Sequence, residues 1–189
     1  ATEVTRSRSL TRPSRVLARF SVDGSQKTPD VDRLALRGFS FRLGGEDHRS
    51  DILTQSAPVH FARTLDQMLA YLRARTPGPD GKVDTKKLKA FSAANPETLH
   101  QAGYLAAHPP RSFAATTYWG VHAFPATNSK GETRFIKFKV VPVGTDDASA
   151  AGRAGSADLH RNLEKRIASG DVRFSVVALL DRPGDPVMD

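Results

Sequence analysis

Alternating apolar and polar residues predict three strands in the first third of the chain. The first covers residues 15–22, and the second covers residues 36–43, where Phe39 and Phe41 share a face. The third covers about residues 50–54, after a turn rich in glycine and acidic residues. Because the connections are short and polar, antiparallel pairing is the simplest arrangement.

Helical spacing of apolar residues dominates the middle of the chain. A helix is predicted over residues 65–75, with Thr64 as its N-cap. Asp84 is predicted to cap a second helix that runs through residue 91. Asn95, followed by proline, is predicted to begin a third helix that ends near residue 107.

Strand patterns return in the last third of the chain. Strands are predicted over residues 116–124 and 133–141, joined by a hairpin connection at 128–131. A helix is predicted over residues 158–169, where leucine and isoleucine recur at every fourth position. A last strand is predicted over residues 172–180.

These elements together predict an α+β fold built around an antiparallel sheet of six strands. Strands that are apolar on both sides favour a barrel or a strongly curled sheet. Lys137 and Lys139 alternate with apolar residues and are expected to point to solvent. Residues 24–33 and 144–156 are polar and predict irregular connections.

Positive charge is concentrated near the start of this chain, whose formal net charge is +8. Residues 1–20 contain five arginines against Glu3 alone. Such a run either follows phosphates or forms a solvated arm, and the absence of interleaved aromatic residues disfavours nucleic acid as a partner. We therefore predict a basic N-terminal arm over residues 1–14 and one domain over residues 15–189.

The rest of the composition excludes several classes of site. The chain has no cysteine, which excludes disulfides, thiolate metal sites and cysteine nucleophiles. No apolar run approaches membrane-spanning length and no signal peptide is recognisable, so a membrane is not expected as a partner and periplasm and cytoplasm stay open. No phosphate-binding loop, nucleophile elbow or zinc-binding spacing of histidines is present.

Five segments, in order, resemble the haem catalase family. In the sequence they are Arg19-Phe20-Ser21, residues 36–41, residues 51–61, residues 95–98 and residues 118–124. Residues 173–180 and Pro183-Gly184-Asp185-Pro186 resemble in particular the small catalase-related peroxidases of that family. The likeness runs from about residue 15 to residue 189.

The resemblance implies a fold and an activity. The fold is an antiparallel eight-stranded β-barrel with inserted helices. The resemblance also implies a site for haem b, with a histidine above the iron, an amide beside it and a tyrosinate below. The implied function is a haem-dependent peroxidase that reduces hydrogen peroxide or organic peroxides, with weak catalase activity at most and a role in oxidative stress. Its partners would be the peroxide and an unidentified electron donor, and homo-oligomerisation stays open.

Site residues follow from the resemblance position by position. Arg19 matches an arginine that pairs with a haem propionate, and Ser21 matches a serine that orients the distal imidazole. Gln55 stands where true catalases have an asparagine; its extra methylene favours slow peroxidase turnover over efficient disproportionation. The remaining implied cofactor contacts are His60, Phe61, Met68 and His122.

Two features of the family have no counterpart in this sequence. They are the His-Ala-Lys-Gly segment of the distal histidine and the Arg-x-x-x-Tyr segment of the proximal tyrosine. We therefore expect a barrel that is incomplete at both ends, with no metal ligand in this chain. Two alternatives stay open: a haem-free catalase-like fragment that serves as a binding or structural module, and an enzyme that transforms fatty-acid hydroperoxides.

Overall fold

Helices and an antiparallel sheet make up the computed structural model, which describes residues 1–22, 35–144 and 156–187. The strands are β1 Leu17–Val22, β2 Arg37–Leu43, β3 Ser50–Gln55, β4 Tyr118–Trp119, β5 Phe124–Thr127, β6 Thr133–Val143 and β7 Arg173–Leu180. The helices are α1 Arg8–Thr11, α2 Leu65–Arg75, α3 Thr85–Ala94, α4 His100–Ala107 and α5 Ser156–Ser169. This arrangement confirms the predicted fold class. The predicted connection at 24–33 lies outside the described residues, and so does the predicted connection at 144–156 apart from its two end residues.

All neighbouring strands of the sheet are antiparallel, in the order β1-β2-β3-β4-β6. Strand β6 also pairs with β5 and β7. Val140 pairs with both Tyr118 and Val176, so β4 and β7 lie on opposite edges of β6. Ile136 pairs in the same way with β5 and β7, which places β4 and β5 one after the other along a single edge.

The prediction of a single strand over residues 116–124 is wrong, because the structure has two separate strands there, β4 and β5. From Trp119 to Phe124 the chain takes five steps, whereas their partners Lys139 and Ile136 are only three steps apart on β6. The extra residues between β4 and β5 form a bulge at residues 120–123 that interrupts the hydrogen-bonded ladder. Apolar patterning continues through the bulge, so nothing in the sequence marked the break except Gly120.

An aromatic cluster fills the concave side of the sheet. Its buried members are Phe39, Phe41, Tyr118 and Val140. The ring of Phe174 on β7 packs 4.9 Å from that of Phe39 on β2, although the two strands are far apart in strand order. The sheet is therefore strongly curled, as predicted. Within the described residues, the outer edges of β1 and β7 pair with no strand, so the curl does not close there into a barrel.

Residues 1–14, predicted as an arm, lie against the end of the sheet formed by β5 and β6. Val4 and Leu10 pack on the buried apolar side chains of these two strands. Ser9 is 3% exposed, and its hydroxyl lies 2.6 Å from that of Ser50 on β3. The division into an arm and a domain stays a prediction, but the segment has packed, buried contacts with the sheet.

The helices between β3 and β4 begin where the sequence predicts. Thr64 Oγ1 accepts a hydrogen bond from the Gln67 amide at the start of α2, and Asp84 caps α3 by accepting from two amides. The third predicted helix divides into a 3-10 turn, Pro96–Leu99, followed by α4. Among the helices of the described ranges, none has the length and apolar character needed to span a bilayer.

Candidate functional site

The predicted catalytic residues lie on the side of the sheet opposite the aromatic cluster. Ser21, Gly38 and Gln55 are aligned partners on β1, β2 and β3, so they form one row. Arg19, Ser40 and Leu53 form the next row. We call these six residues, together with Leu17, the outward face.

Solvent reaches the outward face even at its apolar positions. Leu17 and Leu53 are 71% and 73% exposed, whereas Phe39 and Phe41, on the other side of the same sheet, are 7% and 5% exposed. Large apolar side chains with that exposure do not contribute to the core of the described residues. The outward face is therefore available for a ligand or a further layer of protein.

Gly38 makes room for the Ser21 hydroxyl. A Cβ at residue 38 would lie 2.4 Å from Ser21 Oγ, which is far closer than atoms can pack. The hydroxyl thus lies across the glycine, between β1 and β3. A glycine within a strand is often explained by such a close approach.

The side-chain amide of Gln55 turns toward the loop that follows β3. Its Nε2 donates to Val59 O at 3.0 Å and to Ala57 O at 3.4 Å. Two carbonyl oxygens around one terminal atom identify that atom as the nitrogen. Oε1 is therefore the atom of Gln55 that can accept a further hydrogen bond, while the expected donation from this amide to a departing oxygen stays a prediction.

Two residues that the sequence reasoning missed hold the same loop. Gln101 Nε2 donates to Val59 O at 2.9 Å, and Lys137 Nζ donates to Pro58 O. Lys137 was expected to point to solvent, and that expectation is wrong. It is half-buried, and burial lowers the pKa of its ammonium group. The bonded residues are 79 positions apart, so no local pattern could have found this contact.

The implied aromatic and histidine contacts meet in a cleft of about 810 Å³ beside the outward face. His60, Phe61 and His122 all line it, and so does Val59, the residue that Gln55 holds. His60 and Phe61 lie on the connection between β3 and α2, and their ring centroids are 4.4 Å apart. The structure therefore brings three of the four implied contacts together.

Met68, the fourth implied contact, lies elsewhere. It is half-buried on α2, where it belongs neither to the outward face nor to the lining of the cleft. Its role as a cofactor contact stays a prediction. Helical spacing alone equally indicates a packing residue at this position.

Charge in the cleft is mixed. Glu97 is a lining residue, and its pKa is lowered by a backbone hydrogen bond and by donation from Gln67 Nε2 at 2.6 Å. His100 also lines the cleft, so a carboxylate and an imidazole stand on the same wall. The other ionisable side chains of the lining are His60, Arg63, His122, Lys137, Asp181 and Asp185.

Arg19 is the unpaired cation of the outward face. It is exposed, and in the described part of the chain no acidic side chain pairs with it. Arg42, one row further along, differs because its Nε donates to Asp51 at 2.7 Å. An acidic ligand would thus meet Arg19 without competing against a resident carboxylate.

The buried tyrosine of the aromatic cluster, Tyr118, does not stand ready as a tyrosinate. Tyr118 is fully buried in the aromatic cluster, where its hydroxyl donates to Phe113 O at 2.8 Å. Burial raises the pKa of this phenol above its usual range, so it stays protonated. Tyr71 and Tyr104 lie on α2 and α4. Within residues 1–22, 35–144 and 156–187, no three histidine or acidic side chains cluster to hold a metal ion.

Comparison with known proteins identifies the family. The family model described as Catalase matches residues 1–174. The chain is 32% identical to a catalase-related peroxidase of Synechococcus elongatus, covering 90% of this chain and 52% of that protein. It is 30% identical to a catalase-related peroxidase of Mycolicibacterium paratuberculosis, covering 92% and 56%. The chain thus spans about half the length of these curated relatives.

Solved structures agree on the fold. Catalase A from Saccharomyces cerevisiae superposes with a TM-score of 0.78 at 16% identity, covering 98% of this chain and 42% of that one. A bacterial catalase gives a TM-score of 0.73 at 22% identity, covering 95% and 38%. The resemblance stated from the sequence is confirmed, and this chain belongs to the catalase family.

Proposed function

We propose that this chain forms part of a haem-dependent peroxidase that reduces hydrogen peroxide or organic peroxides. The observation that carries the proposal is the outward face, where Arg19, Ser21 and Gln55 stand in register beside the cleft of His60 and His122. Family membership supports the same reading.

The outward face fits one side of haem b. Leu17 and Leu53 offer apolar surface to a flat macrocycle, and Arg19 offers an unpaired guanidinium to a propionate. Bound haem supplies iron redox chemistry that cleaves the peroxide O–O bond. We assign the iron ligand to none of the described residues, because Tyr118 is protonated within the core and neither Tyr71 nor Tyr104 lies in an Arg-x-x-x-Tyr segment.

Polar atoms of the outward face would orient a peroxide. Ser21 Oγ, which lies across Gly38, can donate or accept a hydrogen bond. Gln55 Oε1 can accept from a peroxide O–H, whereas its Nε2 is already engaged with two loop carbonyls. An amide that does not donate gives the departing oxygen little help, so we propose that peroxidase turnover exceeds disproportionation.

Haem titration of the full chain tests the binding half of this proposal. We expect Arg19→Ala to weaken haem binding, followed by Soret absorbance, about fivefold through loss of a partly screened ion pair. Arg12→Ala is the matched control, because Arg12 is also exposed but lies outside the outward face. Equal affinities of the two variants would contradict the assigned face.

A product assay tests the catalytic half. Gln55→Asn shortens the side chain so that the amide no longer reaches Val59 O, which frees its nitrogen to donate. We expect the haem-loaded variant to release more oxygen per aromatic donor oxidised than the unmodified chain. An unmodified chain that mainly releases oxygen from hydrogen peroxide would overturn the preference for peroxidase turnover.

A further inference from the structure

The bulge between β4 and β5 opens a second cavity on the far side of His122. Strand β3 meets β4 through the pair Gln55 and Trp119 alone, so residues 51–54 lie opposite β5 without a paired register. A pocket of about 630 Å³ fills this opening, and residues 5–7 and Leu10 of the N-terminal segment close it. We call it the gap pocket. Its volume is within the range of small-molecule sites.

Apolar side chains form most of the wall of the gap pocket. They come from β3, β5 and β6 and are Ile52, Leu53, Phe124, Ile136 and Phe138. Leu53 and Phe124 are 73% and 49% exposed, so the wall continues to the surface. Water in contact with this wall gains few hydrogen bonds, and an apolar occupant would displace it favourably.

One charged side chain on the wall lacks a partner. Arg6 lines the gap pocket, its backbone amide donates to Thr127 O at 2.8 Å, and among the described residues its guanidinium has no acidic partner. Asp51 also lines the pocket, but Arg42 already binds that carboxylate at 2.7 Å and lowers its pKa. The wall therefore combines apolar surface with a single uncompensated cation, which complements an organic anion.

We propose that the gap pocket binds an amphipathic carboxylate with the size and shape of a medium-chain fatty acid. The apolar chain lies against the side chains of β3, β5 and β6, and the carboxylate pairs with Arg6. This site shares Leu53 with the outward face but extends away from it, between β3 and β5, and requires no haem. Its occupant would lie against His122, which lines both the gap pocket and the cleft.

Calorimetric titration of the full chain with decanoate, without haem, tests the site. Each step from decanoate to octanoate to hexanoate removes two methylenes and should weaken binding about fifteenfold, because each buried methylene contributes about fourfold. Arg6→Ala should weaken decanoate binding about fivefold and leave decanol binding unchanged. Arg8→Ala is the matched control, because Arg8 is exposed nearby but does not line the pocket.

A blocking variant separates this pocket from other apolar surface. Leu53→Trp places a bulky indole ring at the exposed rim, where it can be accommodated, and should abolish decanoate binding. Leu17→Trp, at a position that is equally exposed on the outward face but does not line the pocket, should leave decanoate binding unchanged. Circular dichroism checks the fold of each variant, and Arg6→Gln replaces Arg6→Ala if the latter unfolds. The proposal is overturned if decanoate does not bind, if Leu53→Trp binds it normally, or if the Arg6 and Arg8 variants bind it equally well.

Discussion

Adjacent residues of one strand face two different environments in this molecule. Phe20 stacks on Phe39 at 4.4 Å within the aromatic cluster, whereas the next residue, Ser21, lies on the outward face over Gly38. Strand alternation thus separates residues that stabilise the fold from residues that are available for chemistry. Inward substitutions should cause the largest losses in the free energy of unfolding, and outward ones should change binding with smaller effects on stability.

The largest expected effect is the loss of an inward aromatic ring. Phe39→Ala removes a ring that packs against Phe20, Tyr118 and Phe174, so it should lower the free energy of unfolding by about 3–5 kcal/mol. Ser40→Ala, one residue away on the outward face, should change it by less than about 0.5 kcal/mol. Urea denaturation measures both, and similar losses would refute the separation of the faces.

The next effect concerns the loop that borders the outward face. Gln55→Ala removes both hydrogen bonds to the loop carbonyls and should cost about 1 kcal/mol. Hydrogen exchange should accelerate at residues 56–60 more than in β2. Gln101→Ala, which removes the other amide bond to Val59 O, should accelerate the same amides. Exchange that is unchanged in both variants would show that these bonds do not hold the loop.

A smaller effect is expected at Gly38. In Gly38→Ala the new methyl meets only the rotatable Ser21 hydroxyl, so we expect a loss of stability below about 1 kcal/mol. Adding Ser21→Ala should remove that loss, which a double-mutant cycle by urea denaturation detects. A large loss that persists in the double variant would place the strain in the backbone instead.

The smallest effect concerns the pH dependence of stability. Because burial lowers the pKa of Lys137 in the folded chain, the unfolded chain binds more protons between that lowered pKa and the ordinary value of 10.5. Stability from this group therefore rises with pH across that window. The stability of the unmodified chain minus that of Lys137→Met should therefore rise with pH. Lys130→Met serves as the control, because Lys130 lies in an exposed turn. A difference that stays flat up to pH 10.5 would contradict the burial of this ammonium group.

Local patterns predicted the parts of the fold that local physics determines. Alternation identified the inward Phe39 and Phe41, and capping residues identified where α2 and α3 begin. The break between β4 and β5 was missed because it results from register against β6. For the site, the resemblance indicated residues that share the outward face, but it could not show that the amide nitrogen of Gln55 is engaged with its own loop.

A porphyrin titration followed by methyl NMR tests the central claim most directly. Zinc protoporphyrin is diamagnetic, and its ring current shifts only those methyl groups that lie close to it. Leu17 and Leu53 are on the outward face, whereas Val140 is fully buried on the other side of the sheet. The methyl signals of Leu17 and Leu53 should shift on titration while those of Val140 stay in place. Shifts confined to other surfaces, such as the exposed leucines of α2, would contradict the assignment of the outward face as the haem-binding surface.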